Sequence, residues 1–478
     1  MAGIGFELKK LFNKEGLLQN MKAYSFSAVV TVGPAIIAMS TIFILQWLLK
    51  IQGIYLAERQ VITSAIVYAF VFSQIITSGF TMVMTRYVAD QIFKKAYENI
   101  MPSLYGIILI CLPITAVVAG VFYFKSPLAF SFKLLAYTFT LEMTIIWILT
   151  IYLSALKDYR KIIIAYLLGF FVTVGIFGVC LILKVKDMAL VTMGSMNIGF
   201  LILLLCLLLN IVRFMGKQKE GAKVFGFLSY FEKYPGLFFC NLFYTLGLYL
   251  HNFIYWRSSQ GMVVRETYYI APTYDTPAFF AFMAMLPTMV YFVVRTETSF
   301  YDHYDNYYSL ILHGGTYNEV EHAKKAMIET LWEELRNIAE VQILVMIGFA
   351  LAGYMLLSQF GASQMLLQTF LMLLLGSFSC SMMYIIILLL LYYDNRKDAA
   401  LIAFCFVVGV GLFTLFGMNY KYSYHGFGFF LGATLALYVA FFRMHKYTKE
   451  LDYHTFCAKP IIVKERKGIF TWLGEKLI

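Results

Sequence analysis

Charged residues are scarce in this sequence: they make up 14% of its 478 residues, whereas soluble domains carry roughly 25%. Hydrophobic residues make up 61%, and so few charges cannot cover the surface of a soluble protein of this length. The apolar residues fall in long runs, and a run of about 18 or more is typical of a membrane-spanning helix. The composition therefore excludes a soluble globular protein and predicts an all-α polytopic membrane protein.

Sequence motifs of enzymatic chemistry are also absent. No Gly-x-x-x-x-Gly-Lys-Ser/Thr loop is present to bind nucleotide phosphates. The seven histidines lack metal-ligand spacing, and six of the seven cysteines lie inside apolar runs without forming a Cys-x-x-Cys pair, as expected of small core residues. We therefore expect no catalytic residues, no metal site and no cofactor, and a protein that is not an enzyme.

The long apolar runs predict about twelve transmembrane helices, each long enough to cross a bilayer. The predicted spans are 23–49, 61–85, 103–124, 134–155, 162–183, 188–212, 234–256, 273–294, 341–358, 364–392, 399–418 and 426–442.

Basic residues give an independent test of this count, because lysine and arginine are retained on the cytoplasmic side of membrane proteins. With the N-terminus inside and strict alternation, 29 of the 38 basic residues fall on the inner side. One span more or fewer in the middle would move the basic residues that follow it to the outer side. The sequence therefore predicts both termini in the cytoplasm. The net charge of +11 indicates attraction to anionic lipids of the bilayer rather than nucleic-acid binding.

A charged linker at residues 213–233 divides the predicted spans into six and six, as in transporters built from two related halves. We therefore predict two six-helix bundles. The first, with an amphipathic N-terminal segment, covers residues 1–212, and the second covers 234–445 and carries a polar cytoplasmic insertion at 297–340. A basic cytoplasmic tail follows at 446–478.

Apolar residues recur within the insertion at Ile328, Leu331, Leu335 and Ile338, a spacing typical of an amphipathic helix. We expect this face to lie along the inner membrane surface. Docking of a cytoplasmic partner is the alternative.

Polar groups in or beside apolar spans are the candidates for a transport cavity, because a charge at the centre of a membrane helix costs on the order of 3 kcal/mol. Glu142 lies near the middle of the fourth predicted span, either as a functional carboxylate or as a structural hydrogen-bonding group. Aromatic faces with hydrogen-bonding groups suit a sugar polymer, although an aromatic belt at the membrane interface is the alternative for each aromatic residue. The candidates of this kind around the seventh and eighth spans are His251, Asn252, Trp256, Arg257 and Asp275.

Four residues in the spans are candidate hinges. Gly33 and Pro34 lie in the first predicted span, and Pro277 and Pro287 lie in the eighth. Proline removes a backbone donor and kinks a helix. Kinked helices in both halves suit a transporter that opens alternately to either side of the membrane.

Four stretches of the chain resemble one family. They are MAGIGFELKKLF (Met1–Phe12), the Gly33-Pro34 pair, YDTPAFFAFMAMLPTMVYFVV (Tyr274–Val294) and RTETSFYDHY (Arg295–Tyr304). They resemble the PelG family, the membrane transporters of the Pel exopolysaccharide system, within the multidrug/oligosaccharidyl-lipid/polysaccharide flippase superfamily.

This resemblance implies a fold of two six-helix bundles around a central cavity, in the cytoplasmic (inner) membrane of a bacterium. It also implies export of a partly deacetylated, cationic polysaccharide. The partners it implies are a cytosolic glycosyltransferase and membrane proteins of the Pel complex.

Three functions remain open from the sequence. The first is export of a Pel-like polysaccharide, in which Glu142 and Asp275 attract the cationic chain. The second is ion-coupled export of small molecules or lipid-linked oligosaccharide, in which Glu142 is the coupling carboxylate. The third is a membrane scaffold that recruits a glycosyltransferase through 213–233, 297–340 and the tail.

Overall fold

The computed structural model describes residues 17–155, 159–215, 224–359, 363–418, 425–458 and 468–476. The N-terminal motif up to Phe12, residues 216–223 of the predicted linker and residues 459–467 of the predicted tail lie outside this described part. The described part is helical apart from one short hairpin.

The helices that precede this hairpin are α1 (Leu17–Thr31), α2 (Gly33–Ile51), α3 (Leu56–Phe93), α4 (Ile100–Phe124), α5 (Phe130–Ala155), α6 (Tyr159–Ile182), α7 (Met188–Met215), α8 (Leu228–Lys233) and α9 (Pro235–Trp256). The hairpin pairs β1 (Met262–Val264) with β2 (Tyr268–Ile270) in antiparallel register. The helices that follow it are α10 (Pro272–Met283), α11 (Met285–Arg295), α12 (Tyr301–His313), α13 (Tyr317–Gln359), α14 (Gln364–Tyr392), α15 (Arg396–Met418), α16 (Phe427–Lys449) and α17 (Ile469–Lys476).

Twelve of these helical segments are long and apolar enough to cross a membrane, which confirms the predicted number of spans. Helices suit this environment because each one satisfies its own backbone hydrogen bonds where no water is available. The orientation of the termini stays a prediction.

Two of the predicted spans are interrupted. The first breaks at Val32, directly before Gly33 and Pro34, and the eighth breaks at Ala284, three residues before Pro287. Proline lacks the backbone N–H that an intact helix needs and disfavours helical geometry in the residue before it. The breaks therefore follow from the local sequence.

The eighth membrane segment continues into α12, which packs against the N-terminal half of α13, and the ninth predicted span is the C-terminal part of α13. A π-helical segment, Thr296–Phe300, joins α11 to α12, and Gly314 ends α12 in the left-handed conformation with φ of +82°. Leu331, Leu335 and Ile338 are each at most 3% exposed. The expectation that this apolar face lies along the membrane surface is therefore wrong, because protein covers it.

The described residues form two compact units. The C-terminal unit contains α1, residues 250–254 of α9, and the chain from Pro272 to residue 458. The N-terminal unit contains the chain from Gly33 to Tyr249, residues 255–271 with the hairpin, and α17. The first unit boundary along the chain falls between Val32 and Gly33, at the first helix break. The predicted domain boundaries stay predictions.

Candidate functional site

Asn252 and Asp275 form a polar contact in the C-terminal unit. Asn252 Nδ2 donates to Asp275 Oδ1 at 2.8 Å. Asp275 lies in the first turn of α10, which begins with Pro272. A carboxylate at this position is stabilised by the partial positive charge of the helix N-terminus. Asp275 is half-buried, so it combines partial access with a fixed orientation.

His251 and Tyr274 form a second, fully buried contact beside the first. The Tyr274 hydroxyl lies 2.8 Å from His251 Nδ1, and both residues are 0% exposed. The ring centroid of Phe429 lies 4.5 Å from that of His251, and the centroid of Phe282 lies 5.7 Å away. Aromatic rings thus enclose a single polar pair, which fixes α9 against α10.

Trp256 and Arg257 have a different environment, in the N-terminal unit. Trp256 stacks on Tyr68 with ring centroids 5.0 Å apart, and the guanidinium carbon of Arg257 lies 3.9 Å from the ring centroid of Tyr269. The Tyr68 hydroxyl also donates to the Tyr269 carbonyl at 2.8 Å and accepts from the Tyr269 N–H at 2.9 Å. These contacts attach the β-hairpin to α3. Cation–π and stacking contacts therefore account for both predicted residues here.

Glu142 lies on α5 in the N-terminal unit. Its Oε2 is buried, and within the described part of the chain no group forms a hydrogen bond with this oxygen. One turn earlier, Thr138 donates to Asn197 of α7 at 2.7 Å, and Asn197 donates to the Leu135 carbonyl at 3.0 Å. Thr138 and Asn197 thus have hydrogen-bond partners, whereas Glu142 retains a buried oxygen without one in the described part of the chain.

The candidate hinge residues lie at or near the helix breaks. Gly33 and Pro34 begin α2, Pro277 is buried within α10, and Pro287 lies in the first turn of α11. Gln342 of α13 reaches the second break, where its Nε2 donates to the Ala284 carbonyl at 3.4 Å. Their role in movement stays a prediction.

Sequence reasoning did not assign roles to three further groups. Gln342 is a single polar residue in an apolar run and is 0% exposed. Glu334 is 6% exposed and pairs with Arg295 at 2.6 Å. Glu232 accepts from the backbone N–H groups of Gly468 and Phe470 at 2.9 and 2.6 Å. Of these three groups, only Gln342 could have been identified from the sequence, because it is an isolated polar residue in an apolar run.

Among the residues predicted for a transport cavity, the structure brings Asn252 to Asp275, and His251 lies beside them in the same unit. It places Trp256 and Arg257 against the hairpin. Glu142 lies on α5 and belongs to the N-terminal unit. Their participation in transport stays a prediction.

Solved structures with a similar fold are transporters. A Vibrio cholerae MATE transporter, VcmN, in a mutant form is 11% identical, with 95% of this chain and 100% of that chain covered and a TM-score of 0.61. A MOP superfamily transporter from Pyrococcus furiosus is 11% identical, with 89% and 96% covered and a TM-score of 0.56. An outward-facing multidrug resistance MATE family transporter of the MOP superfamily is 13% identical, with 89% and 96% covered and a TM-score of 0.56. At these identities the likeness concerns the fold alone.

No curated protein sequence matches the chain significantly. Residues 1–456 match the PelG family, described as "Putative exopolysaccharide Exporter (EPS-E)". The match includes all twelve candidate membrane helices. The chain is therefore a multi-pass membrane transporter that belongs to the PelG family of exopolysaccharide exporters.

Proposed function

We propose that this chain exports a Pel-like exopolysaccharide across the bacterial cytoplasmic membrane, together with a cytosolic glycosyltransferase and membrane partner proteins. The match of residues 1–456 to an exopolysaccharide exporter family carries this proposal. The twelve-span transporter fold supports it, because such a fold moves cargo through the membrane without forming or breaking covalent bonds in it.

In this proposal Glu142 contributes an acidic group to the transport path. Glu142 is half-buried, but its Oε2 is buried and lacks a hydrogen-bond partner in the described part of the chain. Burying a polar group without such a partner costs about 2–7 kcal/mol. A residue of this kind in a membrane span is a functional candidate by default. Asp275 is the second acidic group, which Asn252 holds in place.

The proposal is tested in cells that lack the chromosomal copy of this chain. They are rescued with the wild-type chain, with Glu142→Gln or with Glu98→Gln, and polymer is measured outside and inside the cells. Glu98 is an exposed carboxylate in the short turn directly before α4 and therefore serves as the matched control. We expect Glu142→Gln to be present in the membrane at the wild-type level but to lower the polymer outside, and Glu98→Gln to restore export. Wild-type export by Glu142→Gln would end the proposed role of this residue.

A second candidate function is ion-coupled export of small molecules or lipid-linked oligosaccharide. The likeness of the fold to multidrug resistance transporters and the buried oxygen of Glu142 favour it. It predicts that transport into vesicles depends on a proton or sodium gradient and that Glu142→Gln abolishes this dependence. Transport that is indifferent to both gradients would argue against it.

A scaffold function for a synthase complex is favoured by the acidic surface of α12 and α13. This surface suits a basic partner protein. Its exposed carboxylates are Asp302, Asp305, Glu319, Glu329, Glu333 and Glu340. Replacing them with the corresponding amides is expected to release a glycosyltransferase from the chain in pull-down experiments, and retention of that partner would exclude this surface as its docking site.

A further inference from the structure

A cavity of about 380 Å³ lies within the N-terminal unit, where several membrane helices begin or end. Glu58 comes from the first turn of α3, Phe132 from the first turn of α5 and Leu128 from the segment directly before it, and Lys186 and Asp187 precede α7. Arg265 reaches it from the turn of the β-hairpin. We call this cavity the mixed-charge pocket.

Two acidic and two basic side chains line this pocket: Glu58, Asp187, Lys186 and Arg265. None of the ion pairs in the described part of the chain involves any of them. Asp187 Oδ1 accepts from the Leu190 N–H at 3.1 Å, which fixes the carboxylate at the start of α7. The pocket therefore contains acidic and basic side chains that form no ion pairs with one another.

The turn that carries Arg265 is strained and held in place. Arg265 and Glu266 have φ values of +47° and +51°, in the left-handed region that non-glycine residues rarely adopt. The buried hydroxyls of Thr267 and Ser126 are hydrogen-bonded at 2.7 Å, and Ser126 Oγ accepts from the Leu128 N–H at 3.3 Å. These bonds fix the hairpin turn against the segment before α5, so the backbone of Arg265 is in place before a ligand arrives, while its exposed side chain is accessible to that ligand.

The surroundings of the pocket are those of a membrane interface. Phe130, two residues before Phe132, is 77% exposed, and Ile182, four residues before Lys186, is 80% exposed. Large apolar side chains with this exposure, at the ends of spans, suit the acyl region of a bilayer. Charged groups at the same level suit the headgroup region. The alternation of basic residues along the sequence predicts that this end of the helices lies on the outer side.

We propose that the mixed-charge pocket binds the headgroup of a phospholipid that carries a phosphate and a primary ammonium group. Lys186 and Arg265 bind the phosphate oxygens, as basic side chains do at phosphate sites. Glu58 and Asp187 accept hydrogen bonds from the ammonium group. The apolar wall formed by Leu128 and Phe132 contacts the glycerol and the first methylenes of the acyl chains.

The same lining disfavours two other ligands. A quaternary choline ammonium has no N–H to donate and is recognised by cages of aromatic rings, whereas Phe132 is the single aromatic residue in this lining. An amino sugar would satisfy Glu58 and Asp187 but would bring no anion for Lys186 and Arg265. The geometry therefore favours phosphoethanolamine over both.

The test uses the full chain, purified and delipidated in detergent, with bound lipid measured by native mass spectrometry. Dioleoyl phosphatidylethanolamine, phosphatidylcholine and phosphatidylglycerol are added in equal amounts. We expect the ethanolamine lipid to be retained preferentially, and Arg265→Gln and Glu58→Gln each to weaken its retention by about tenfold, since each removes one charge-assisted hydrogen-bonding partner. Lys125→Gln is the matched control, because Lys125 is exposed in the connection that also carries Leu128, between α4 and α5, and does not line the pocket.

Equal retention of the three lipids, or wild-type retention by both pocket variants, would overturn the proposal. Elution volume in size-exclusion chromatography verifies that each variant is folded. Two variants are used so that the test can still be made if one of them does not fold. Preferential retention of soluble glycerophosphoethanolamine over the intact lipid would assign the pocket to a free phosphate ester instead. Displacement of the lipid by a chitosan oligosaccharide would assign it to an amino-sugar polymer and overturn the lipid assignment as well.

Discussion

The guanidinium group of Arg295 donates two hydrogen bonds to the carboxylate of Glu334, with Nε–Oε2 and Nη2–Oε1 distances of 2.8 and 2.6 Å. This bidentate pair joins the last residue of α11 to α13, directly before the π-helical segment Thr296–Phe300. The side chain of Glu334 is 8% exposed and that of Arg295 is 33% exposed. The pair therefore fixes the point at which the eighth membrane segment continues into α12.

Arg295→Gln is expected to destabilise the protein, because it leaves the carboxylate of Glu334 buried without its partner. Removal of one member of a fully buried pair costs about 3–5 kcal/mol, and the partial exposure of Arg295 reduces the expected loss to about 2 kcal/mol. The measurement is the free energy of unfolding in detergent. Glu340→Gln is the control: it breaks the exposed Arg336–Glu340 pair in the same helix and is expected to cost below about 0.5 kcal/mol. Equal losses would contradict a structural role for the Arg295–Glu334 pair.

Pro287→Ala is expected to lower export without lowering stability. The substitution restores a backbone N–H that can bond to the Met283 carbonyl, which strengthens the helix across the break at Ala284. Export by rescued cells and thermal unfolding of the purified chain are measured together. Pro113→Ala is the control, because Pro113 lies inside the uninterrupted helix α4. Equal effects on export from the two substitutions would show that the break at Ala284 has no special role.

The docking of α17 on α8 is expected to depend on pH. Glu232 accepts from Gly468, Phe470 and Thr471. Although burial acts to raise it, these hydrogen bonds hold the pKa of the Glu232 carboxyl below its usual 4.5. A lowered pKa in the folded state means that the stabilisation is complete above the unfolded pKa of about 4.3 and is lost as the pH falls through the lower folded value.

Proteolysis of the C-terminal segment measures this docking. Glu232→Ala is expected to make the segment more accessible to protease at pH 7. The expected loss of docking free energy is about 1 kcal/mol, as for a lost helix cap, and this loss raises the population with the segment detached about fivefold. Glu333→Ala, which removes an exposed carboxylate from α13, is expected to leave the cleavage rate unchanged. A cleavage rate of Glu232→Ala equal to that of the wild type would exclude Glu232 as the anchor of α17.

Gly199→Ala is expected to destabilise the N-terminal unit. A Cβ at Gly199 would meet the Thr173 hydroxyl and lie 2.7 Å from the Gly169 carbonyl oxygen, so α6 and α7 would have to move apart. Close approach of helices over small residues is a main source of packing energy in membranes, and the expected loss is about 1–3 kcal/mol. Gly178→Ala on α6 meets no atom within 4 Å and serves as the control in the same unfolding measurement. A wild-type unfolding midpoint for Gly199→Ala would contradict this packing.

The number of spans could be predicted from the sequence, because run length decides whether a helix can cross a bilayer. The prolines gave only candidate positions for breaks: breaks lie near Pro34 and Pro287, whereas Pro277 lies inside α10, since neighbouring groups can compensate for the missing backbone donor. The amphipathic period at residues 328–338 predicts the wrong surroundings for another reason. Periodicity shows that one face of a helix is apolar, but not whether lipid or protein covers that face.

The contacts of the candidate site could not be predicted, because they join residues that are distant in the sequence. Trp256 stacks on Tyr68, and no sequence pattern connects the two. Gln342 reaches the break at Ala284 from a different helix. Asn252 and Asp275 could both be named as candidates because they are polar groups beside apolar spans, but the sequence does not show that they form a hydrogen bond.

The most direct test of polysaccharide export is the location of the polymer in cells depleted of this chain. Polymer is measured in the cytoplasm, in the periplasm and outside the cell, before and after depletion and after rescue with the wild-type chain. If the chain exports the polymer, polymer disappears from the periplasm and the exterior on depletion and returns on rescue. Unchanged amounts of polymer in both places after depletion would contradict this role.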